Sequence, residues 1–210
     1  MLVQGFYFLF FGGLATAVFV TEMAVAMVPR AFSVSLCGAS LLALLIGAWR
    51  LHRVKSLGVE WTRSVRCLLI ASVLLVYLFP FLWAWRQVPQ NPYFCCHGLA
   101  FLAMLMLTMM ALSVTSAALE RALGRKGLTW QMVLCLVSTV VVQLAPFSRL
   151  AYLLIVGALH GEDTVMWLQV GVAHLHPFWV TLSLLPFTLA LSLAWTAKDI
   201  ALDLLVGDKP

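Results

Sequence analysis

The sequence predicts an all-α fold: a polytopic transmembrane helix bundle of about six spans, ending in a short amphipathic C-terminal helix. Composition is the first observation behind this. Of 210 residues, 63% are hydrophobic and only 10% charged, with a mean hydropathy of +1.03, whereas soluble domains carry roughly 25% charged residues. Thirteen Lys/Arg and eight Asp/Glu are too few to cover the outside of a soluble fold of this length. The second observation is run length: apolar stretches repeatedly reach the ~20 residues needed to cross roughly 30 Å of hydrocarbon. Inside hydrocarbon each backbone N–H and C=O needs an internal partner, which leaves helices or a closed barrel. A barrel would alternate apolar and polar residues over strands of about ten, and the sequence has no such period.

Six spans are read in order: Gly5 to Val28, Phe32 to Leu51, Cys67 to Trp85, Cys95 to Leu119, Trp130 to Ile155 and Phe178 to Ala197. The first is a retained anchor rather than a secretory signal, because Met1 to Gln4 carries no charge and the run is longer than a signal's apolar core of about 7 to 15 residues. Span five is interrupted by Pro146 and Arg149, a helix breaker and a costly intramembrane charge. The chain thus divides into a bundle over residues 1–197 and a cytoplasmic amphipathic tail over 198–210. In that tail Ala197, Ile200, Ala201, Leu204 and Leu205 share a helix face, apart from Lys198, Asp199 and Asp203, as in interfacial or partner-docking helices. Thr164 to Leu175 forms a weaker amphipathic stretch, with Val165, Leu168, Val172 and Leu175 on one face.

Sidedness follows from Lys and Arg, which are retained on the cytoplasmic side of span ends. Ten of the thirteen fall on one side: Arg50, Arg53, Lys55, Arg63 and Arg66 between spans two and three, Arg121, Arg125 and Lys126 between four and five, and Lys198 and Lys209 in the tail. Only Arg30, Arg86 and Arg149 lie opposite. Both termini are therefore expected in the cytoplasm, and a plasma membrane of the bacterial inner-membrane kind is the expected location. Trp83, Trp85, Trp130, Trp167 and Trp179 stand at span ends, where indole prefers the headgroup region. The basic loop from Arg50 to Arg66 reads either as a topology determinant or as a contact for anionic lipid or a cytosolic partner. A faint three-plus-three repeat is suggested by Pro80-Phe81 and Pro186-Phe187 at matching places in spans three and six.

Candidate ligands cluster on the outer side. His97, His160, His174 and His176 all fall there. Extended backbone before Pro177 would point His174 and His176 the same way, and with His97, His160, Glu162 or Asp163 they could hold Zn²⁺ or Cu²⁺. Two histidines facing across the bundle could instead hold haem iron. The plainer alternative is ordinary interfacial histidines bonded to water and headgroups. Cys95-Cys96-His97 lacks the C-x-x-C-H spacing of covalent haem attachment, and the five cysteines (Cys37, Cys67, Cys95, Cys96 and Cys135) form neither a C-x-x-C pair nor a zinc ribbon. Met104, Met106, Met109 and Met110 suit Cu(I) or flexible packing.

Glu22 is the acid inside an apolar span and Arg149 the partner expected for it, as a structural ion pair or a proton or substrate site. Small residues at four-residue spacing, Gly13, Ala17 and Thr21 in span one and Thr108, Ala111, Thr115 and Ala118 in span four, are expected to let helices approach closely. Motifs for a nucleophile with its base, a phosphate loop or a carboxylate pair are missing from the sequence, which disfavours an enzyme. Three functional classes follow. The first is a non-catalytic membrane subunit or scaffold, with the bilayer and a membrane-protein companion or a second copy as partners and no nucleic acid. The second is a small-solute transporter or its substrate-binding component. The third is a redox protein holding haem, copper or quinone; with the first two readings no cofactor is expected.

Overall fold

The computed structural model describes residues 1–25, 31–124, 127–173 and 177–207, and every element among them is helical. The helices are α1 (Leu2–Val25), α2 (Ala31–His52), α3 (Val59–Gln87), α4 (Pro92–Ala122), α5 (Leu128–Ser138), a π-helical turn (Thr139–Leu144), α6 (Ala145–Leu159), α7 (Thr164–Ala173) and α8 (Pro177–Gly207). Among the described residues five stretches are long and apolar enough to cross a membrane: Leu2–Phe19, Ser35–His52, Val59–Gln87, Pro92–Ala122 and Leu128–Leu159. The sixth expected span lies in α8, a 31-residue helix packed on α1, α4 and α5. The side chains of its first turn lie outside the described residues.

Polarity is distributed as lipid would require. Phe11, Ile70, Tyr77, Leu107, Val141 and Tyr152 face outward, while buried positions include Thr16, Ser40, Ser72, Ser113 and Ser116. Those hydroxyls mostly donate to a carbonyl one turn back, as Ser72 does to Leu68 at 2.8 Å and Ser116 to Leu112 at 2.9 Å. A small hydroxyl satisfied by its own helix can be buried at little cost, and it leaves room for a neighbouring helix.

Two spans run longer than expected because the sequence gives them clear starts. Gly58 takes φ 96°, a left-handed conformation that favours glycine, and α3 begins directly after it. Asn91 accepts a hydrogen bond from the Tyr93 N–H at 2.9 Å and Pro92 occupies the first helical position of α4. At 1.5 Å per residue, the 29 residues of α3 and 31 of α4 span about 43 and 46 Å. Both exceed the ~30 Å thickness of a hydrocarbon layer. Arg63 and Arg66 therefore belong to the first turns of α3 rather than to a loop.

Pro146 does not break span five. The chain runs helically from Leu128 to Leu159, with a π-helical turn over Thr139–Leu144 directly before α6. The expected amphipathic tail is the end of α8 rather than a separate helix. Ala197, Ile200 and Ala201 are buried in the bundle, while Leu204 and Leu205 are exposed; Asp208 to Pro210 lie outside the described residues.

At the end of the bundle carrying most basic residues, Glu120 is buried and accepts the backbone N–H groups of Gly127 and Leu128. A carboxylate here satisfies donors that no turn of α5 can reach and complements the positive end of that helix. Next to it Arg121 pairs with Glu60, tying α4 to α3. Glu120→Ala is expected to destabilise the protein by about 1–3 kcal/mol, the cost of orphaning buried donors bonded to a charged acceptor. A chemical-denaturation midpoint unchanged in detergent would rule this out.

Candidate functional site

The chemistry-bearing residues gather at the opposite end, where α3 turns into α4 and α6 leads into α7. Trp85 is fully buried and its indole N–H donates to Thr164 Oγ1 at 2.8 Å; Thr164, also buried, in turn donates to the Pro89 carbonyl. This chain of bonds fastens the start of α7 to the α3–α4 turn. Asp163 caps α7 by accepting the Met166 N–H at 2.8 Å, and Gly161 with φ 75° lets α6 end there. Trp85 thus sits inside the bundle, unlike Trp130 and Trp167, which are exposed.

Beside Trp85, Arg86 is half-buried, and its Nη1 atom is enclosed with no hydrogen-bond partner among the described residues. The Glu22 carboxylate acts on this guanidinium electrostatically. Arg149, the partner expected for Glu22, is exposed on α6, which packs on α4 and α7.

The four candidate histidines divide. His97 lies tilted against the rings of Tyr93 and Phe81, with centroids 4.2 and 4.5 Å away, and its Nδ1 lies 2.8 Å from the Tyr93 carbonyl. His160 is exposed, with Nδ1 2.7 Å from the Val156 carbonyl. In both rings one nitrogen is engaged one turn back and Nε2 is left for another partner. His174 and His176 lie outside the described residues. Among the described residues no three His, Cys, Asp or Glu side chains group as a metal site, and all five cysteines are free thiols.

The packing residues also separate. Thr108 and Thr115 are buried and donate to Met104 and Ala111 carbonyls at 2.7 and 2.8 Å. Gly13 faces α8 and α4: a Cβ there would stand 2.9 Å from Leu191 Cδ2 and 3.5 Å from Met109 Cε. Ala17 is half-buried, and the Thr21 side chain lies outside the described residues. The closest approach of α1 to α2 runs along another stripe, Gly5, Gly12 and Thr16 against Ser40, Leu44 and Gly47. There the Thr16 and Ser40 hydroxyls lie 2.9 Å apart. A spacing of seven between Gly5 and Gly12 was the available signal, and the four-residue ridge beside it masked it.

Lys198 was also not legible as a buried group. It is almost fully enclosed in α8, paired with Asp199 at 2.6 Å and placed 3.5 Å from the Trp195 ring centroid and 5.3 Å from that of Tyr7. Comparison with protein-family models, curated proteins and solved structures finds no match for this chain.

Proposed function

We propose that this chain is an integral membrane protein that serves as a non-catalytic subunit or scaffold of a larger assembly, in a plasma membrane of the bacterial inner-membrane kind with both termini cytoplasmic. One observation carries the reading: among the described residues, buried polar side chains fasten helices to one another and to the turns between them. Thr16 meets Ser40, Trp85 reaches Thr164, Glu120 holds the start of α5, and Gln143 Nε2 donates to the Ser183 carbonyl at 2.8 Å. Groups so engaged shape a framework and are not directed at a substrate. Purification of the tagged full chain in mild detergent, followed by mass spectrometry, is expected to recover a stoichiometric companion membrane protein. Recovery of the isolated chain alone at several detergent concentrations would overturn the reading.

The Glu22–Arg86 interaction favours a second reading, a small-solute transporter or its substrate-binding component, because charges within spans mark solute and ion paths. Here Glu22→Gln would abolish uptake into proteoliposomes while leaving the folded fraction intact. As part of a framework, the same substitution instead lowers the thermal midpoint and leaves companion binding intact in the protein that folds. Uptake that persists in a stable Glu22→Gln protein would eliminate the transport reading.

A further inference from the structure

An apolar groove of about 420 Å³ opens on the outside of the bundle between α3, α4 and α5. Ile70 and Ala71 form one wall, Met104, Met110 and Ala111 the other, and Leu136 closes the side. Its depth in the bundle follows from the topology. Cys67, which also lines it, lies eight residues after the start of α3, and Leu136 lies eight residues into α5, so the groove occupies the half of the bundle nearest the basic end. Arg66 is one turn before Ile70 and Arg63 one turn before Cys67, so both lie on the groove side of α3. Both arginines are exposed, and neither makes an ion pair or hydrogen bond among the described residues. Helical side chains lean toward the N-terminus, so these two side chains lean from the groove toward the basic end of the bundle.

A greasy channel with two free guanidinium groups at its headgroup end matches one occupant. We propose that the groove is a binding site for an anionic phospholipid, with an acyl chain lying along Ile70, Ala71, Met110 and Ala111 and the phosphate met by Arg63 and Arg66. Methionine suits such a wall because its unbranched thioether adapts to a chain that bends. Guanidinium suits the mouth because it bonds phosphate oxygens in pairs. A second copy of this chain fits less well. Two bundles inserted the same way and joined by a two-fold axis through this face would bring four arginines together at one end.

Native mass spectrometry of the full chain, released from detergent containing equal amounts of palmitoyl-oleoyl phosphatidylglycerol and phosphatidylcholine, tests the site. The phosphatidylglycerol adduct is expected to exceed the phosphatidylcholine adduct by about tenfold, as two basic groups near a phosphate imply. Arg63→Gln with Arg66→Gln is expected to equalise the two adducts, and Ala111→Phe, which fills the groove, to suppress both. Should Ala111→Phe not fold, Leu107→Trp fills the same groove from an outward-facing position. Equal uptake of the two lipids by the unchanged chain overturns the proposal. So does undiminished phosphatidylglycerol uptake by a folded groove-filling variant, or a dimer population that the filling variant abolishes. None of these results depends on whether a companion protein co-purifies.

Discussion

Gly98→Ala is expected to destabilise the protein by about 3 kcal/mol, at the upper end of what overpacking a core costs. Helix propensity works in the opposite direction, since alanine in a helix interior is favoured over glycine by about 1 kcal/mol. Geometry decides between them. A Cβ on Gly98 would overlap Trp85 Cε3 and stand only 2.8 Å from Cδ2 and Cζ3 of the same ring. The ring cannot swing aside cheaply, because it is fully buried and its N–H is held by Thr164. The α3–α4 hairpin must therefore splay or the Trp85–Thr164 bond must break, and α7 loses its anchor in either case. Denaturant midpoints in a fixed detergent, with tryptophan emission as the probe, measure the effect. A Gly98→Ala protein as stable as the parent would mean that this contact is not as close as described.

Gly47→Ala should come next, with a net loss of about 2–3 kcal/mol. Its added methyl would meet the Gly5 carbonyl oxygen at 2.8 Å and the Leu9 backbone nitrogen at 3.0 Å. Backbone atoms have no rotamer to change, so α1 and α2 must move apart along their whole seam, and the Thr16–Ser40 contact opens with them. Gly38→Ala is the matched control in the same helix. There the new Cβ meets only Phe79 Cε1 at 3.6 Å, an ordinary contact, so helix propensity is expected to prevail and stability to hold or rise by up to about 1 kcal/mol. If both variants shift the midpoint equally, the close seam between α1 and α2 is not the cause.

The fold class was legible because it depends on quantities that survive averaging, namely charge content and the length of apolar runs. The five apolar helices long enough to cross a membrane among the described residues, and their order, could be read that way. Span ends were less accessible: Val59 to Arg66 look like a charged loop in the sequence, and only the left-handed backbone at Gly58 marks where α3 begins. Pairings between distant elements were harder still. Arg149 was the partner the sequence suggested for Glu22, and nothing local there shows that the Glu22 carboxylate acts on the Arg86 guanidinium. Gly98 next to Trp85 is invisible for the same reason, since thirteen residues and a turn separate them. At Asn91-Pro92 the local chemistry that starts α4 stood in the sequence, yet the span was expected to begin only at Cys95, because apolar run length was the guide.

The π turn at Thr139–Leu144 has a geometric consequence for the whole span. Each α-helical residue advances about 100° around the axis, so a turn that holds one residue more than usual shifts the phase of everything after it. The two halves of one membrane crossing therefore present different azimuths. Cys135 and Ser138 turn inward before the wide turn, Leu154 and Ala158 after it, and α5 meets α8 while α6 meets α7. One continuous rod thereby addresses two neighbours that a uniform helix, with a single inward stripe, could not serve at once.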